Sequence, residues 1–205
     1  MALENILKLL SPYRFSDEKR AMAYESVPTT TRGKIKQTIA RLFTFWGKSS
    51  VSMQKETRLT GFSAHEEYTP APLAFVVCNA QKTAGSHAIA ALLPAILAHV
   101  PHIIPCYIHD GKSPFPEEHL LGLELLGLDD AYCLTCDELA KILEDTVQLP
   151  EQSRAVFVGS WFGWEEIAPF VIAQNTHVQF LHRGENVYPS LPPTWFTHHQ
   201  ITFTP

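Results

Sequence analysis

One unit recurs in this chain from residue 73 to residue 186: a short apolar run, a polar loop and a segment with helical spacing of apolar residues. Strands that alternate with helices build a parallel sheet, and apolar runs rich in Val, Ile and Phe indicate strands buried on both faces. The predicted strands are Leu73–Cys78, Ile103–Ile108, Ala131–Leu134, Ala155–Val158 and Val178–Leu181. We therefore predict an α/β fold with a three-layer, Rossmann-like parallel sheet of about five strands.

Helical spacing between these runs predicts helices over residues 86–99, 116–127, 138–145 and 163–173. Pro94 conflicts with the first of them, because proline has no N–H for a helical hydrogen bond. Pro116 suits a helix start, where its missing N–H costs nothing. A sheet of this kind binds ligands at the carboxyl ends of its strands.

The first part of the chain has a different pattern, so we divide the sequence into two regions. Residues 1–68 are a helical N-terminal region with a connector, and residues 69–205 are the α/β domain with a C-terminal tail. Apolar residues at helical spacing predict two N-terminal helices, one around Leu3–Leu10 and one around Ile35–Phe43. The polar segment Gly47–Pro72 is predicted to be an irregular connector. The alternating run His199–Thr204 is predicted to be an edge strand.

Composition limits the function classes. With 45% hydrophobic residues among 205, the chain can bury one substantial core. The net charge of −5 disfavours nucleic acid as a partner, and we interpret Arg32, Lys34, Lys36 and Arg41 as a solvated helix face. No apolar run approaches the roughly 18 residues of a membrane span, and the N-terminus lacks a signal-peptide pattern. We expect a soluble, cytoplasmic protein without a membrane partner.

The four cysteines lie in or beside predicted strands, and we expect Cys78, Cys106 and Cys133 to be buried and unbridged. Cys133 and Cys136 form a C-x-x-C pair, for which a redox pair, half of a zinc site and simple core packing are the alternatives, and we favour packing. The ten histidines form no compact ligand pattern, so we predict no metal site.

The candidate binding residues lie in three loops, which follow the predicted strands Leu73–Cys78, Ile103–Ile108 and Ala155–Val158, and the last of these is the turn at Gly159 and Ser160. The first loop, residues 79–87, places a lysine, a glycine and hydroxyl groups before a helix N-terminus, which favours the binding of an anion. The loop lacks the glycine-rich phosphate-binding motifs, and a purely structural turn is the alternative. The second loop, with Asp110 and Ser113 among its polar residues, is able to hold a polar ligand or move a proton. The predicted binding residues are Asn79, Lys82, Gly85, Ser86, His109, Lys112, Gly159 and Ser160.

Two stretches carry a family resemblance. The first is similar to a pattern of histidinol dehydrogenase that consists of a turn, a strand and an A-G-V-D-x-x-Y run. In this chain the turn is Pro94-Ala-Ile-Leu-Ala-His-Val100, a strand follows it, and residues 123–132 correspond to the run. Phe157-Val-Gly-Ser160 is similar to the F-T-G-S turn of aldehyde dehydrogenases, where glycine and serine lie beside the nicotinamide dinucleotide. The chain thus resembles the aldehyde dehydrogenase-like superfamily, which implies that fold for about 115 residues and NAD(P) as a candidate cofactor.

The sequence departs from this family at the positions that carry its chemistry. Leu181 stands where the family's L-E-L-G-G-K-N segment has a general-base glutamate, and residues 134–143 lack both glycines of the histidinol dehydrogenase helix. The family's nucleophilic cysteine comes from a second domain well beyond this motif, and the sequence ends at Pro205. The resemblance implies a truncated nucleotide-binding domain, and we predict no catalytic residue and no dehydrogenase activity.

Three functions follow as hypotheses. The leading one is a non-catalytic domain that binds a nucleotide, a small polar ligand or a partner protein. The first alternative is an NAD(P)-dependent oxidoreductase-type subunit that completes its active site with another chain, or that uses His109, Lys112 and His182 on a small polar substrate. The second is a structural or assembly protein, a homo-oligomer or part of a complex, with Trp161, Phe162 and Trp164 in a contact surface, although core packing explains these three residues equally well.

Overall fold

The structure of the chain, a computed structural model, describes residues 2–47, 54–60, 62–145, 149–159, 167, 177–181 and 191–204. Its described helices are α1 (Ala2–Leu10), α2 (Asp17–Ser26), α3 (Thr29–Gly47), α4 (Gly85–Leu97), α5 (Glu117–Leu126) and α6 (Cys136–Asp145), with 3-10 turns at Ser11–Tyr13 and Pro193–Phe196. Its described strands are β1 (Gln54–Leu59), β2 (Phe62–Pro70), β3 (Ala74–Asn79), β4 (Ile103–Ile108), β5 (Tyr132–Leu134), β6 (Arg154–Val158), β7 (His177–Leu181) and β8 (Thr197–Thr204).

A five-stranded, entirely parallel sheet forms the centre of the fold, in the order β5-β4-β3-β6-β7. The chain enters the sheet at β3, moves outward through β4 and β5, and then crosses to β6 and β7 on the other side of β3. The strand order therefore reverses between β3 and β6, which is the point where such sheets open a crevice. The predicted five-stranded parallel sheet is confirmed.

Helices cover both faces of this sheet. Phe75 and Val77 of β3 pack in one cluster with α1 and α6, whereas Val76 and Cys78 pack in another with α2, α4 and α5. The alternation arises because successive side chains of a strand point to opposite faces. All six residues of β3 are buried. The three-layer α/β architecture is confirmed.

Helix α4 keeps its course through Pro94, which the sequence presents as a conflict. Pro94 lies in the last turns of the helix and is itself buried. Its carbonyl accepts the N–H of Ala98 at 3.0 Å, so the helical ladder continues beyond the proline and the helix ends at Leu97.

The prediction of an irregular connector over Gly47–Pro72 is wrong from residue 54 onward, because two strands, β1 and β2, occupy most of that part. Strands β1 and β2 pair antiparallel, and β2 pairs in turn with β8, which makes a separate three-stranded sheet. Polar residues occupy most positions of both strands, so no apolar alternation marks them in the sequence. β8 is an edge strand of this sheet, as predicted, although it begins at Thr197. Residue 68 lies inside β2, and the division into two regions at that position stays a prediction.

None of the four cysteines is in a disulfide. Cys78 and Cys106 are buried as expected, but Cys133 is only half-buried, because β5 has a single neighbour at the edge of the sheet. Of the helix predicted over residues 163–173, only Ile167 is among the described residues, and the predicted contact residues Trp161, Phe162 and Trp164 lie outside them. Among the residues that are described, no helix is both long and apolar enough to cross a bilayer.

Candidate ligand groove at the strand ends

The loop after β3 is a tight turn organised by Asn79. The Asn79 side-chain oxygen accepts the backbone N–H groups of Gln81 and Lys82 at 3.1 and 3.0 Å. The Asn79 carbonyl accepts the N–H of Thr83 at 2.9 Å. An asparagine that bonds its own following backbone in this way stabilises a turn. The turn leaves the side chains of Gln81 and Lys82 exposed.

The loop after β4 is held by two side chains. The N–H of His109 donates to the carbonyl of Leu134 at 3.0 Å, and His109 Nδ1 accepts the N–H of Gly111 at 2.9 Å. Asp110 Oδ1 accepts the N–H groups of Lys112 and Ser113 at 3.0 and 3.4 Å. The bond from the Lys112 N–H is the largest cause that lowers the pKa of Asp110, which keeps this exposed side chain a carboxylate near neutral pH.

The loop after β5, which leads into α6, contains a capping box. The N–H of Thr135 donates to Glu138 Oε2 at 2.7 Å, and the N–H of Glu138 donates to Thr135 Oγ1 at 3.3 Å. This reciprocal pair satisfies the first N–H groups of the helix. Cys136 and Asp137 follow at once, so both begin α6 at the sheet edge.

These three loops surround a groove of about 430 Å³ at the carboxyl ends of β3, β4 and β5. Its charged and polar lining includes Gln81, Lys82, His109, Asp110 and Asp137. Such a lining offers hydrogen-bond donors, acceptors and charges of both signs to a single small molecule.

The structure brings together only part of the predicted binding set. The predicted residues that line the groove are Asn79, Lys82 and His109. The predicted residues that do not line it are Gly85, Ser86, Lys112 and Gly159, whereas Ser160 lies outside the described residues. Sequence reasoning missed Gln81, Thr135, Cys136 and Asp137, although the Thr135-x-x-Glu138 capping signature after the third strand of the same sheet marks that loop.

Gly85, the first residue of α4, contacts α5 instead. Its N–H donates to Glu118 Oε1 at 2.9 Å, so a carboxylate of the protein already meets the positive end of α4. A Cβ at position 85 would lie 3.2 Å from both Cγ and the carbonyl oxygen of Glu118. The glycine therefore permits the close approach of α5 to α4.

Gly159, which follows β6, is held in the left-handed region at φ +103°. Thr83 Oγ1 donates to the carbonyl of Val158 at 3.2 Å. A Cβ at Gly159 would lie 3.0 Å from Thr83 Oγ1. The buried Thr83 side chain thus packs across the reversal point between β3 and β6.

His119 of α5 contacts the loop after β3. Its Nε2 lies 3.0 Å from the carbonyl of Ala80, and its ring packs beside Tyr107 and Phe115. The side chain is 1% exposed, and burial lowers the pKa of His119 below its ordinary value. A neutral imidazole is the form that this site stabilises.

No protein family model matches the sequence, and no curated protein matches it significantly. Solved structures do match. Histidinol dehydrogenase from Elizabethkingia anophelis superimposes with a TM-score of 0.68 at 14% identity, over 84% of this chain and 40% of that chain. The chain has an aldehyde dehydrogenase-like fold. A mutant betaine aldehyde dehydrogenase from Staphylococcus aureus in complex with NAD⁺ superimposes with a TM-score of 0.51 at 10% identity, over 75% of this chain and 31% of that one.

These matches confirm the sequence resemblance at the level of the fold. This chain spans 40% of the length of the histidinol dehydrogenase and 31% of the betaine aldehyde dehydrogenase. Fold alone does not carry function, which depends on the residues of the site. Within the described ranges, no three His, Cys, Asp or Glu side chains come together to hold a metal ion.

Proposed function

We propose that this aldehyde dehydrogenase-like domain binds a small polar molecule in the strand-end groove and does not transfer hydride by itself. The observation that carries the proposal is the convergence of three polar loops at the carboxyl edge of β3, β4 and β5. Open α/β sheets bind their ligands outside the carboxyl ends of the strands, and this groove lies at those ends on the β4 side of β3, beside the reversal point between β3 and β6. The groove volume of about 430 Å³ lies in the lower part of the usual range for small-molecule sites, about 300–1,000 Å³.

The proposal that the domain does not transfer hydride rests on Leu181, the last residue of β7. Leu181 stands where the resemblance places a general-base glutamate, and a leucine side chain cannot accept a proton. Purified chain is expected to produce no NADH from aldehydes or histidinol. Steady NADH production that a substitution in the groove abolishes would contradict this part of the proposal.

A dinucleotide is the weaker ligand candidate. A pyrophosphate at the N-terminus of α4 would have to displace Glu118, which already accepts the N–H of Gly85. It would also bring like charges together, which costs binding energy. Thr83 further restricts the approach to Gly159. NAD(P) binding between the first loop and β6 would require both side chains to move.

The experiment that tests the proposal is an NMR screen of ¹⁵N-labelled full chain against a metabolite library that includes NAD, NADP and ATP. Binding in the groove is expected to shift the amide resonances of Gln81, Asp110 and Asp137. Gln81→Trp should weaken binding by filling the groove, whereas Gln37→Trp, a control on an exposed α3 position, should not. Shifts confined to another surface, or unchanged binding to Gln81→Trp, would exclude this site.

A second candidate function, assembly with another copy of the chain, is favoured by Phe45 on α3. Phe45 is 67% exposed, its ring centroid lies 4.6 Å from that of Trp46, and it borders a surface groove with Ala40, Arg41 and Thr44. Exposed large apolar groups mark contact surfaces when they cluster. A concentration-dependent oligomer in light scattering that Phe45→Ser dissociates would support assembly, and a monomer at all concentrations would exclude it.

A further inference from the structure

We infer that the chain contains a pH-dependent junction between its two sheets, in which neutral His198 holds the start of β8 against β6 and protonated His198 does not. The junction consists of Arg154, His198 and the carbonyl of Gln152. Arg154 begins β6 and His198 is the second residue of β8, so the junction lies at the amino end of the parallel sheet, opposite the strand-end groove. The inference is therefore independent of the proposed ligand.

Both ring nitrogens of His198 have a protein partner, and these partners define the protonation of the ring. Nδ1 lies 3.3 Å from Arg154 Nη2, and a guanidinium can only donate, so Nδ1 is the acceptor. Nε2 lies 3.1 Å from the carbonyl oxygen of Gln152, which can only accept, so Nε2 carries the proton. The two contacts therefore select one species, the neutral imidazole with its proton on Nε2.

The partners of the ring are held more firmly than the ring itself. Arg154 is 6% exposed and also donates to the carbonyls of Trp195 and Thr197. Gln152 has φ +66°, which is uncommon for a residue other than glycine, and its carbonyl accepts from both Arg154 and His198. The side chain of His198 is only half-buried. When the junction changes, the His198 ring is therefore the part that moves.

A proton on Nδ1 makes the contact between His198 and Arg154 repulsive. Two N–H donors then face each other, and an imidazolium lies beside a guanidinium that stays charged. Burial, and after it the charge of Arg154, lowers the pKa of His198 below its ordinary value of 6.5, which is the direction that this geometry requires. The contribution of neutral His198 is therefore complete above pH 6.5 and is lost as the pH falls from there toward the folded pKa.

The other charged groups around His198 do not cancel this repulsion. His177 of β7 becomes positively charged on acidification, and its charge also lowers the pKa of His198. Glu67 of β2 shares the His198 face of the antiparallel sheet, and Glu151 precedes Gln152 in the turn before β6. Both glutamates are exposed, so water and salt screen their charges.

His199, the next residue of β8, lies on the opposite face of the strand. Its Nε2 lies 3.3 Å from Glu66 Oε2 of β2, so a proton on His199 strengthens the pairing of β8 with β2. Acidification therefore weakens the attachment of β8 to β6 without weakening the antiparallel sheet. We expect a looser junction between two sheets that each remain intact.

The protonation of His198 is tested first, on the full chain. Two-bond ¹H–¹⁵N correlations of the histidine rings should show the Nε2–H tautomer of His198 at pH 8 and a titration midpoint below 6.5. Arg154→Met removes the neighbouring positive charge and should raise this midpoint. The Nδ1–H tautomer at pH 8, or a midpoint of 6.5 or above in the wild type, would overturn the inference.

The attachment of β8 is measured by hydrogen exchange and mass spectrometry at pH 7.5 and 5, with correction for the intrinsic exchange rate. On acidification, a peptide covering residues 191–198 should lose protection about threefold relative to a peptide covering β3. His198→Gln has no charge at either pH and should abolish most of this loss. His199→Gln, a substitution at the adjacent histidine, is the matched control and should retain the loss.

The same loss of protection in His198→Gln and in the wild type would overturn the role of His198. An equal loss in both peptides would show that acid loosens the whole fold and not the junction, which would also overturn the inference. Unchanged protection of residues 191–198 in the wild type between the two pH values would show that the junction does not respond to pH.

Discussion

Glu118 Oε1 accepts the backbone N–H of Gly85 at 2.9 Å, across 33 residues of sequence. The contact joins the first turn of α5 to the first residue of α4, at a position where Ala84, the residue before the helix, provides no side-chain cap. The Glu118 carboxylate thus accepts a backbone N–H at the start of α4, as a local N-cap side chain usually does.

Replacing Glu118 by alanine should therefore destabilise the fold. The loss of a cap and of a favourable charge at a helix N-terminus costs about 1 kcal/mol in the free energy of unfolding. Urea unfolding measures this difference, and Glu124→Ala, an exposed position on the same helix, is the control. Equal effects of the two substitutions would show that the contact with Gly85 contributes nothing measurable.

The contact between Thr83 and Gly159 leads to a second prediction. Gly159→Ala should cost about 1–3 kcal/mol, because an alanine at φ +103° is strained and its Cβ would lie 3.0 Å from Thr83 Oγ1. Thr83→Ala removes the crowding but not the backbone strain. The double variant should therefore be more stable than the sum of the single effects predicts, and strict additivity in urea unfolding would argue against the crowding.

The sequence predicts most of the central fold because burial leaves a strong signal there. All five parallel strands are apolar runs, and their observed bounds differ from the predicted ones by one residue or less. Helix α2 and the hairpin of β1 and β2 were not predicted. Only Arg20 and Ala23 are buried in α2, so it has no apolar face for the pattern to reveal.

The candidate site was predictable only in part, for a physical reason. Strand ends meet at one edge of a parallel sheet, and this topology brought Asn79, Lys82 and His109 to the groove. Gly85 does not reach the groove, because its N–H is bonded to Glu118. No local sequence motif indicates this tertiary contact. A glycine that permits helix packing and one that permits ligand approach look the same in a sequence.

His119 should make stability depend on pH. Burial lowers the pKa of His119 in the folded protein below the ordinary value of 6.5, so its contribution is complete above pH 6.5 and is lost as the pH falls from there toward the folded pKa. A single such group changes the free energy of unfolding by up to about 1.4 kcal/mol per pH unit.

Urea unfolding between pH 7.5 and 5 measures this dependence in wild type and in His119→Gln, which should show a shallower slope. The pKa values of His177 and His198 are also lowered, first by burial and then by the charge of Arg154, so the His119→Gln variant should retain a residual slope. Identical slopes in wild type and His119→Gln would contradict the assignment.

The cysteines should differ in reactivity. Burial raises the pKa of Cys78 to about 12 and that of Cys106 well above its ordinary value, and a buried thiol is a poor nucleophile. In native protein at pH 8, a thiol-reactive disulfide reagent should leave both unmodified, whereas unfolded protein should expose all four cysteines. Mass spectrometry of the labelled peptides identifies the sites, and rapid native labelling of Cys106 would contradict its burial.

Arg154, the first residue of β6, holds the C-terminal segment against the parallel sheet. Its guanidinium donates to the carbonyls of Trp195, Gln152 and Thr197 at 2.7, 3.1 and 3.0 Å, and it lies 5.6 Å from the Trp195 ring centroid. The residue is 6% exposed, so three carbonyls depend on one buried side chain.

Arg154→Met should therefore destabilise the protein by about 3 kcal/mol, because it preserves the apolar stem and leaves buried acceptors without donors. Arg154→Lys keeps the charge but cannot reach three acceptors in the same planar geometry, so its loss should be intermediate. Urea unfolding gives the energies, and limited proteolysis should show earlier cleavage near β8 in Arg154→Met than in wild type. If the methionine variant is as stable as the lysine variant and β8 remains protected, the carbonyl contacts are not what anchors this strand.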